Sequence, residues 1–178
     1  MLEGVANLNL SDGYGKVGVP RQLVIEEDPS SISDAVDTAG LSLPLVAKPL
    51  VAKSHELSLA YDIVSLQKLK PLLVLQEFIN HGGVLFKVFI VGEAIKVVRR
   101  FSLPDVSKRE LSNNSGFFHF PRVSCVGLRL FNLDIIREHG TKDCYYVIDI
   151  NYFPGYSKMP EYEHIFTDFL LSLMKQKK

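Results

Sequence analysis

VIDINYFPGY, residues 147–156, is the stretch on which the rest of the chain turns. Val147, Ile148 and Ile150 are β-branched and favour a pleated, half-buried surface. Asp149 and Asn151 stand two residues apart and so point to one face of that strand. A carboxylate in so apolar a run is costly to bury unless a positive group meets it. The run then stops at Phe153-Pro154-Gly155, because Pro has no N–H for a ladder and Gly takes backbone angles that other residues avoid. Carboxylate and amide oxygens on one face suit a hard cation such as Mg²⁺, which keeps positions for water and phosphate. Taken alone, Asp-x-Asn more often marks an edge strand with a solvated carboxylate.

Composition narrows the setting. The chain has 178 residues, 47% hydrophobic and 22% charged, with 20 basic and 20 acidic side chains that cancel. This is the balance of a folded globular protein, not of a disordered or fibrous one. A net charge of zero predicts neither nucleic acid nor an anionic membrane as partner. No run reaches the roughly 18 apolar residues of a membrane span, and the N-terminus lacks a basic segment followed by an apolar one. Cys125 and Cys144 have no metal-like spacing and are too few for a disulfide framework. They are expected to be reduced thiols of a cytoplasmic protein.

Upstream, residues 1–10 have apolar Leu2, Val5 and Leu8 with no cap before them, as in the tail of a helix continuing from a longer chain. Residues 11–15 (SDGYG) form a turn cluster and residues 19–25 a short strand. Asp28-Pro29 opens a helix whose apolar side is Ile32, Ala35, Val36 and Ala39 and which Gly40 closes. Leu45–Pro49 is the next strand, with Lys48 near its end. A helix follows from His55, with Leu57, Leu59, Ala60, Ile63, Val64 and Leu66 inward, and His55 at its positive end. Residues 72–79 are a strand, and Asn80-His81-Gly82-Gly83 reads as a connector between two lobes.

Residues 84–91 and 94–100 make a hairpin around Gly92-Glu93. Lys87 shares a face with Leu85, Phe89 and Val91, where a lone cation calls for an anion such as phosphate or else snorkels to water. Residues 102–121 read as a polar mobile loop. Residues 128–136 and the opening stretch form a second hairpin. Asp134 and Asp149 reach one face together only in an even register, which is the register expected, because a slip of one residue turns every side chain over. Tyr162 to Met174 is an amphipathic helix with Ile165, Phe166, Phe169, Leu170 and Leu173 inward.

The ordered set Lys48, His55, QEFINHGGVLFK at residues 76–87, Ser102, Asp134 and Asp149-Ile150-Asn151 closely resembles the inositol trisphosphate 5/6-kinase family of the ATP-grasp fold, also called inositol tetrakisphosphate 1-kinases, and its plant members in particular. The resemblance covers nearly the whole chain. It implies an α+β fold, ATP-grasp, with antiparallel sheets flanked by helices and the nucleotide between two lobes. Residues 1–80 would be a partial central subdomain and residues 81–178 a C-terminal subdomain carrying the metal site.

The resemblance also assigns roles. Lys48 and Lys87 are the expected catalytic cations. Lys48, Gln76, Glu77, Phe78, Ile79, Lys87 and Ser102 match ATP contacts. His55, Lys87, Asn151 and Gly155 match positions that hold inositol phosphate, and Asp134, Asp149 and Asn151 match ligands of Mg²⁺. The implied reaction is transfer of the ATP γ-phosphate to a hydroxyl of an inositol tris- or tetrakisphosphate, in a monomer that needs neither nucleic acid nor a membrane span. No residue is an obligatory general base, because phosphoryl transfer depends on positioning and charge neutralisation.

Departures from the family pattern accompany this likeness. An N-terminal domain with a substrate-binding Lys, and an ATP-contacting Arg in the helix preceding this chain's start, have no counterpart here. A few Gly-containing residues are lacking before Lys53-Ser54-His55, and a longer segment is lacking between Cys125 and Val126. Two other readings therefore accompany the kinase. One is a truncated module that binds nucleotide, inositol phosphate or a full-length relative without catalysis. The other is an ATP-grasp carboxylate ligase, which shares the metal ligands.

Overall fold

The computed structural model describes residues 10–12, 15–26, 32–50, 56–121, 130–152, 155–156 and 159–175. The strands are β1 (Leu10–Asp12), β2 (Gly15–Gly18), β3 (Gln22–Ile25), β4 (Leu45–Pro49), β5 (Glu56–Ala60), β6 (Leu73–Glu77), β7 (Val84–Val91), β8 (Ala94–Phe101), β9 (Phe117–Pro121), β10 (Leu130–Arg137) and β11 (Cys144–Tyr152). The helices are α1 (Ile32–Thr38), α2 (Ile63–Leu66), α3 (Lys108–Asn113) and α4 (Tyr162–Lys175). Two compact units result, one of residues 20–80 and 104–123, the other of residues 1–19, 81–103 and 124–178. Neither is a single continuous stretch.

The first unit holds a five-stranded antiparallel sheet in the order β3-β6-β4-β5-β9. Alternation along its strands sends Leu45, Ala47, Leu73, Leu75 and Ala60 to one face, where they pack with Ile25 and with Ile32, Val36 and Leu66 of α1 and α2. Burial of these apolar side chains, each contributing about 1.5–3 kcal/mol when fully enclosed, fixes the sheet against its helices. The opposite face carries Lys48, Val46 and Gln76, since Val46 opposes Gln76 and Lys48 opposes Val74.

Residues 56–60 overturn the expected helix from His55. Leu57 and Leu59 satisfy a helical period with Ile63 and Leu66, but they equally alternate with Ser58, and pairing on both edges with β4 and β9 selects the strand. Only Ile63–Leu66 is helical. Asp62 caps it, accepting from Ser65 N at 2.6 Å, Ser65 Oγ at 2.8 Å and Gly116 N at 2.6 Å. The Gly116 and Ser65 N–H groups hold the Asp62 carboxyl below its ordinary pKa. Its stabilising effect is thus present at neutral pH and is lost as pH falls through that lowered value.

Residues 102–121 are a loop only in part, over 102–107 and 114–116. Ser107 and Glu110 form a capping box that starts α3, and β9 adds to the edge of the sheet. The tail-like helix at residues 1–9 and the helix start at 28–31 lie outside the described residues, as do His55, Phe153 and Pro154. Of the turn expected at 11–15, Ser11 and Asp12 belong with Leu10 to β1 and Gly15 to β2.

The second unit holds a six-stranded sheet in the order β1-β2-β11-β10-β7-β8. It is antiparallel except where β2 runs parallel to β11. Both expected hairpins are present. Phe89 and Val91 pack with Tyr156, Met159 and the Ile165, Phe166 and Phe169 side of α4. Tyr156, with ring centroids 6.1 Å from Phe89 and 5.6 Å from Phe166, fastens the chain beyond β11 to β7 and α4. Burial pushes its phenol up to about 12.

The hairpin turn between β7 and β8 is constrained twice. Gly92 takes φ +59°, and a Cβ there would lie 2.7 Å from the Phe169 ring. Gly92→Ala is expected to lower stability by about 2–4 kcal/mol through the positive φ and the displaced ring. Thermal unfolding should show a melting point roughly 5–15 °C lower.

Candidate functional site

The six-stranded sheet brings three expected residues into one row. Lys87 on β7 opposes Asp134 on β10, and Asp134 opposes Asp149 on β11. Residues directly opposite each other project to the same face, so the even register expected from sequence is the one formed. The next row on that face is Phe89, Asn132 and Asn151. Beyond Asp134 the pairing shifts, Ile135 opposing Val147, so that Ile148 is the extra residue of a bulge. Bulges bend a strand and re-aim side chains, and are common beside active sites.

Polar contacts join the two rows. Lys87 Nζ donates to Asp134 Oδ1 at 3.0 Å, with each side chain only 13% exposed. Asn151 Nδ2 donates to Asp149 Oδ2 at 3.1 Å and to Asn132 Oδ1 at 3.2 Å. That use of both amide protons leaves the Asn151 Oδ1 as the acceptor a cation requires. Two carboxylates and an amide oxygen on adjacent strands are hard donors of the kind Mg²⁺ takes. Among the described residues no group of three or more His, Cys, Asp and Glu could hold a metal ion, so the set depends on the Asn151 amide.

Two residues on this face escaped the sequence reading. Asn132 is fully buried, and its Nδ2 has no partner among the described residues. Arg100 on β8 opposes Leu85, two positions along β7 from Lys87, and its buried Nε likewise lacks a partner among them. Strand alternation carried both signals: Asn132 is two residues from Asp134, and Arg100 shares the parity of Val98, which opposes Lys87.

Ser102 lies at the end of β8, where its Oγ is 2.8 Å from His81 Nε2 and its N–H donates to Gly83 O at 2.9 Å. Gly155 is exposed. His55 falls outside the described residues.

Of the other expected nucleotide residues, Lys48, Gln76 and Glu77 lie in the five-stranded sheet, and Phe78 and Ile79 follow directly on the end of β6. Lys48 and Gln76 share the face opposite α1 and α2. Gln76 is 2% exposed, and its Nε2 has no partner among the described residues, which marks it as a donor awaiting an acceptor. The Glu77 carboxylate is engaged differently. It takes a two-pronged contact from Arg21 at 2.7 and 3.1 Å and a third from Ser42 N at 2.8 Å. Its side chain is therefore engaged within the protein, and its N–H donates to Arg21 O at 2.9 Å. Phe78 N–H is committed to Pro44 O at 3.1 Å.

The sequence matches the inositol 1,3,4-trisphosphate 5/6-kinase ATP-grasp domain over residues 11–126 and 125–172. The chain belongs to this family. It is 64% identical over 212 residues to inositol-tetrakisphosphate 1-kinase 3 of Arabidopsis thaliana, covering 98% of this chain and 60% of that protein. It is 62% identical over 209 residues to inositol-tetrakisphosphate 1-kinase 3 of Oryza sativa subsp. indica, covering 99% and 58%. For inositol-tetrakisphosphate 1-kinase 4 of Glycine max the identity is 60% over 216 residues, covering 99% and 63%. The chain thus spans about three fifths of the length of these relatives.

Among solved structures, the crystal structure of the macrocyclase MdnC bound with precursor peptide MdnA, from Microcystis aeruginosa MRC, matches with a TM-score of 0.53 at 19% identity. The match covers 87% of this chain and 55% of that one, and bears on the fold alone. The fold of this kinase-family chain is ATP-grasp, in an α+β arrangement whose sheets are predominantly antiparallel.

Within the family member's sheet, the Lys87–Asp134 pair is open to a direct test. Breaking a largely buried pair by Lys87→Met or Asp134→Asn alone is expected to cost about 2–4 kcal/mol, because each strands its partner. Urea unfolding of the singles and the double should return a coupling of about 1–3 kcal/mol. Independent, additive losses would mean that the two side chains do not rely on each other.

Proposed function

We propose that this chain is an inositol polyphosphate kinase that transfers the γ-phosphate of ATP to a hydroxyl of an inositol tris- or tetrakisphosphate, with Mg²⁺. The observation that carries the proposal is the row Lys87–Asp134–Asp149, an amine 3.0 Å from one of two facing carboxylates, in a chain of this family. Mg²⁺ bound to Asp134, Asp149 and Asn151 would neutralise charge on the phosphates during transfer. Lys87, beside Asp134, supplies a cation where an incoming phosphoryl group carries negative charge. Lys48 does the same for the nucleotide phosphates, and the Gln76 amide offers its donor to the adenine. Ser102, held by His81 and Gly83, supports the nucleotide as well. His55, Asn151 and Gly155 are assigned to the inositol phosphate. A monomer in the cytoplasm, with Cys144 as a free thiol, fits this reading, and no helix among the described residues is long and apolar enough to cross a membrane.

A second reading is favoured by the middle of the chain. The family match divides at residues 125–126, and the aligned span of 212 residues exceeds the 178 available. These observations support a segment present in relatives and missing after Cys125, and with it a module that binds ATP or inositol phosphate without turnover.

Incubation with ATP, Mg²⁺ and an inositol trisphosphate, followed by chromatography, separates the two. The kinase yields a more highly phosphorylated inositol, and Asp149→Ala lowers the rate by at least about a hundredfold while the fold persists. Nucleotide binding without any product would overturn the kinase in favour of the module.

A further inference from the structure

The other face of the six-stranded sheet holds a cavity of about 380 Å³ that none of the residues assigned above explains. Phe86 alternates with Lys87 and opposes Arg99 on β8 and Ile135 on β10, so it lies on the side away from the Lys87–Asp134–Asp149 row. Arg137, two residues beyond Ile135, shares that side. The cavity is lined by His81, Phe86, Arg99, Arg137, Glu138 and His139, with small residues between them.

Its charge is unbalanced. Arg99 and Arg137 are exposed, and neither guanidinium has a hydrogen bond or ion pair among the described residues. Glu138 lines the same space without pairing with either. Two planar forks of N–H donors in one concavity are suited to phosphate, which guanidinium binds through paired hydrogen bonds. A carboxylate beside them repels a bare anion and accepts a hydrogen bond from a hydroxyl. A volume of this size is that of a small-molecule pocket.

We propose that this cavity is a second ligand site, for a phosphorylated polyol: its phosphates meet Arg99 and Arg137, and one of its hydroxyls donates to Glu138. The Phe86 ring forms an apolar floor for the carbon skeleton. The site is separate from the row on the opposite face and does not depend on whether that row performs phosphoryl transfer.

Calorimetric titration of the whole chain with an inositol trisphosphate, without ATP or Mg²⁺, tests it. The Lys87→Met background weakens phosphate binding on the opposite face, where Arg100 remains, so the cavity is read from the dependence of the persisting binding on Arg99 and Arg137. Binding should persist in that background and weaken by about tenfold or more when Arg99→Gln and Arg137→Gln are added. Glu138→Gln should weaken the inositol trisphosphate but strengthen pyrophosphate, which has phosphate charge and no alcohol hydroxyl. Unchanged affinity in the Arg99→Gln/Arg137→Gln variant overturns the site, and equal strengthening of both ligands by Glu138→Gln overturns the choice of a polyol. Amide hydrogen exchange of the Lys87→Met chain, with both arginines intact, provides a check that does not rely on the arginine variants folding. Ligand should protect residues 84–86 and 137–140, and no protection there overturns the proposal.

Discussion

The contact between Lys87 and Asp134, at 3.0 Å and largely withdrawn from water, is the interaction that the second unit is arranged to keep. It exists only because β7, β10 and β11 pair in a register that sets Lys87, Asp134 and Asp149 opposite one another. A slip of one residue would send the acids to the other face and leave an ammonium among Leu85, Phe89 and Val91. A buried pair of this kind adds little net stability over an apolar substitute, but removing one member is costly. Its presence between these strands is therefore better explained by chemistry on that face than by stability. The bulge at Ile148 serves the same end, since it shifts the pairing immediately before Asp149 without disturbing the row.

Packing further along the strands makes that register hard to lose. Phe89 lies in the next row and is enclosed by Tyr156 and the helix α4, while Gly92 lets Phe169 close over the turn. The stretch that carries Asp149 and Asn151 is thus tethered at Tyr156 a few residues beyond them. The five-stranded sheet follows a simpler plan, with helices on one face and Lys48 and Gln76 on the other.

How far the sequence discloses this depends on whether local pattern and tertiary pairing agree. At residues 84–101 they do: alternating apolar residues around Gly92-Glu93 define the hairpin and its faces. At Asp134 and Asp149 the chemistry of two acids in apolar strands was enough to anticipate the register. At residues 56–60 they conflict, because leucines at 57 and 59 serve either a helix or a strand, and only the neighbours β4 and β9 decide. Helix α3 has no buried residue and so no apolar stripe to read, although Ser107 and Glu110 spell out its cap. The parallel pairing of β2 with β11 joins residues more than a hundred positions apart and leaves no local trace. The Glu77 carboxylate belongs to the same class, since its ties to Arg21 and Ser42 depend on the sheet being formed. Asn132 and Arg100 were legible from strand parity.

The central claim is that Asp134 and Asp149 form one cation site with Asn151. Electron paramagnetic resonance of Mn²⁺, used in place of Mg²⁺ with a non-hydrolysable ATP analogue, measures it most directly. One tightly held Mn²⁺ per chain is predicted, weakened at least about tenfold by Asp134→Asn or by Asp149→Asn and unaffected by Asp143→Asn at the exposed turn before β11. Equal Mn²⁺ affinity in the unaltered chain and in the Asp134→Asn and Asp149→Asn variants would contradict it.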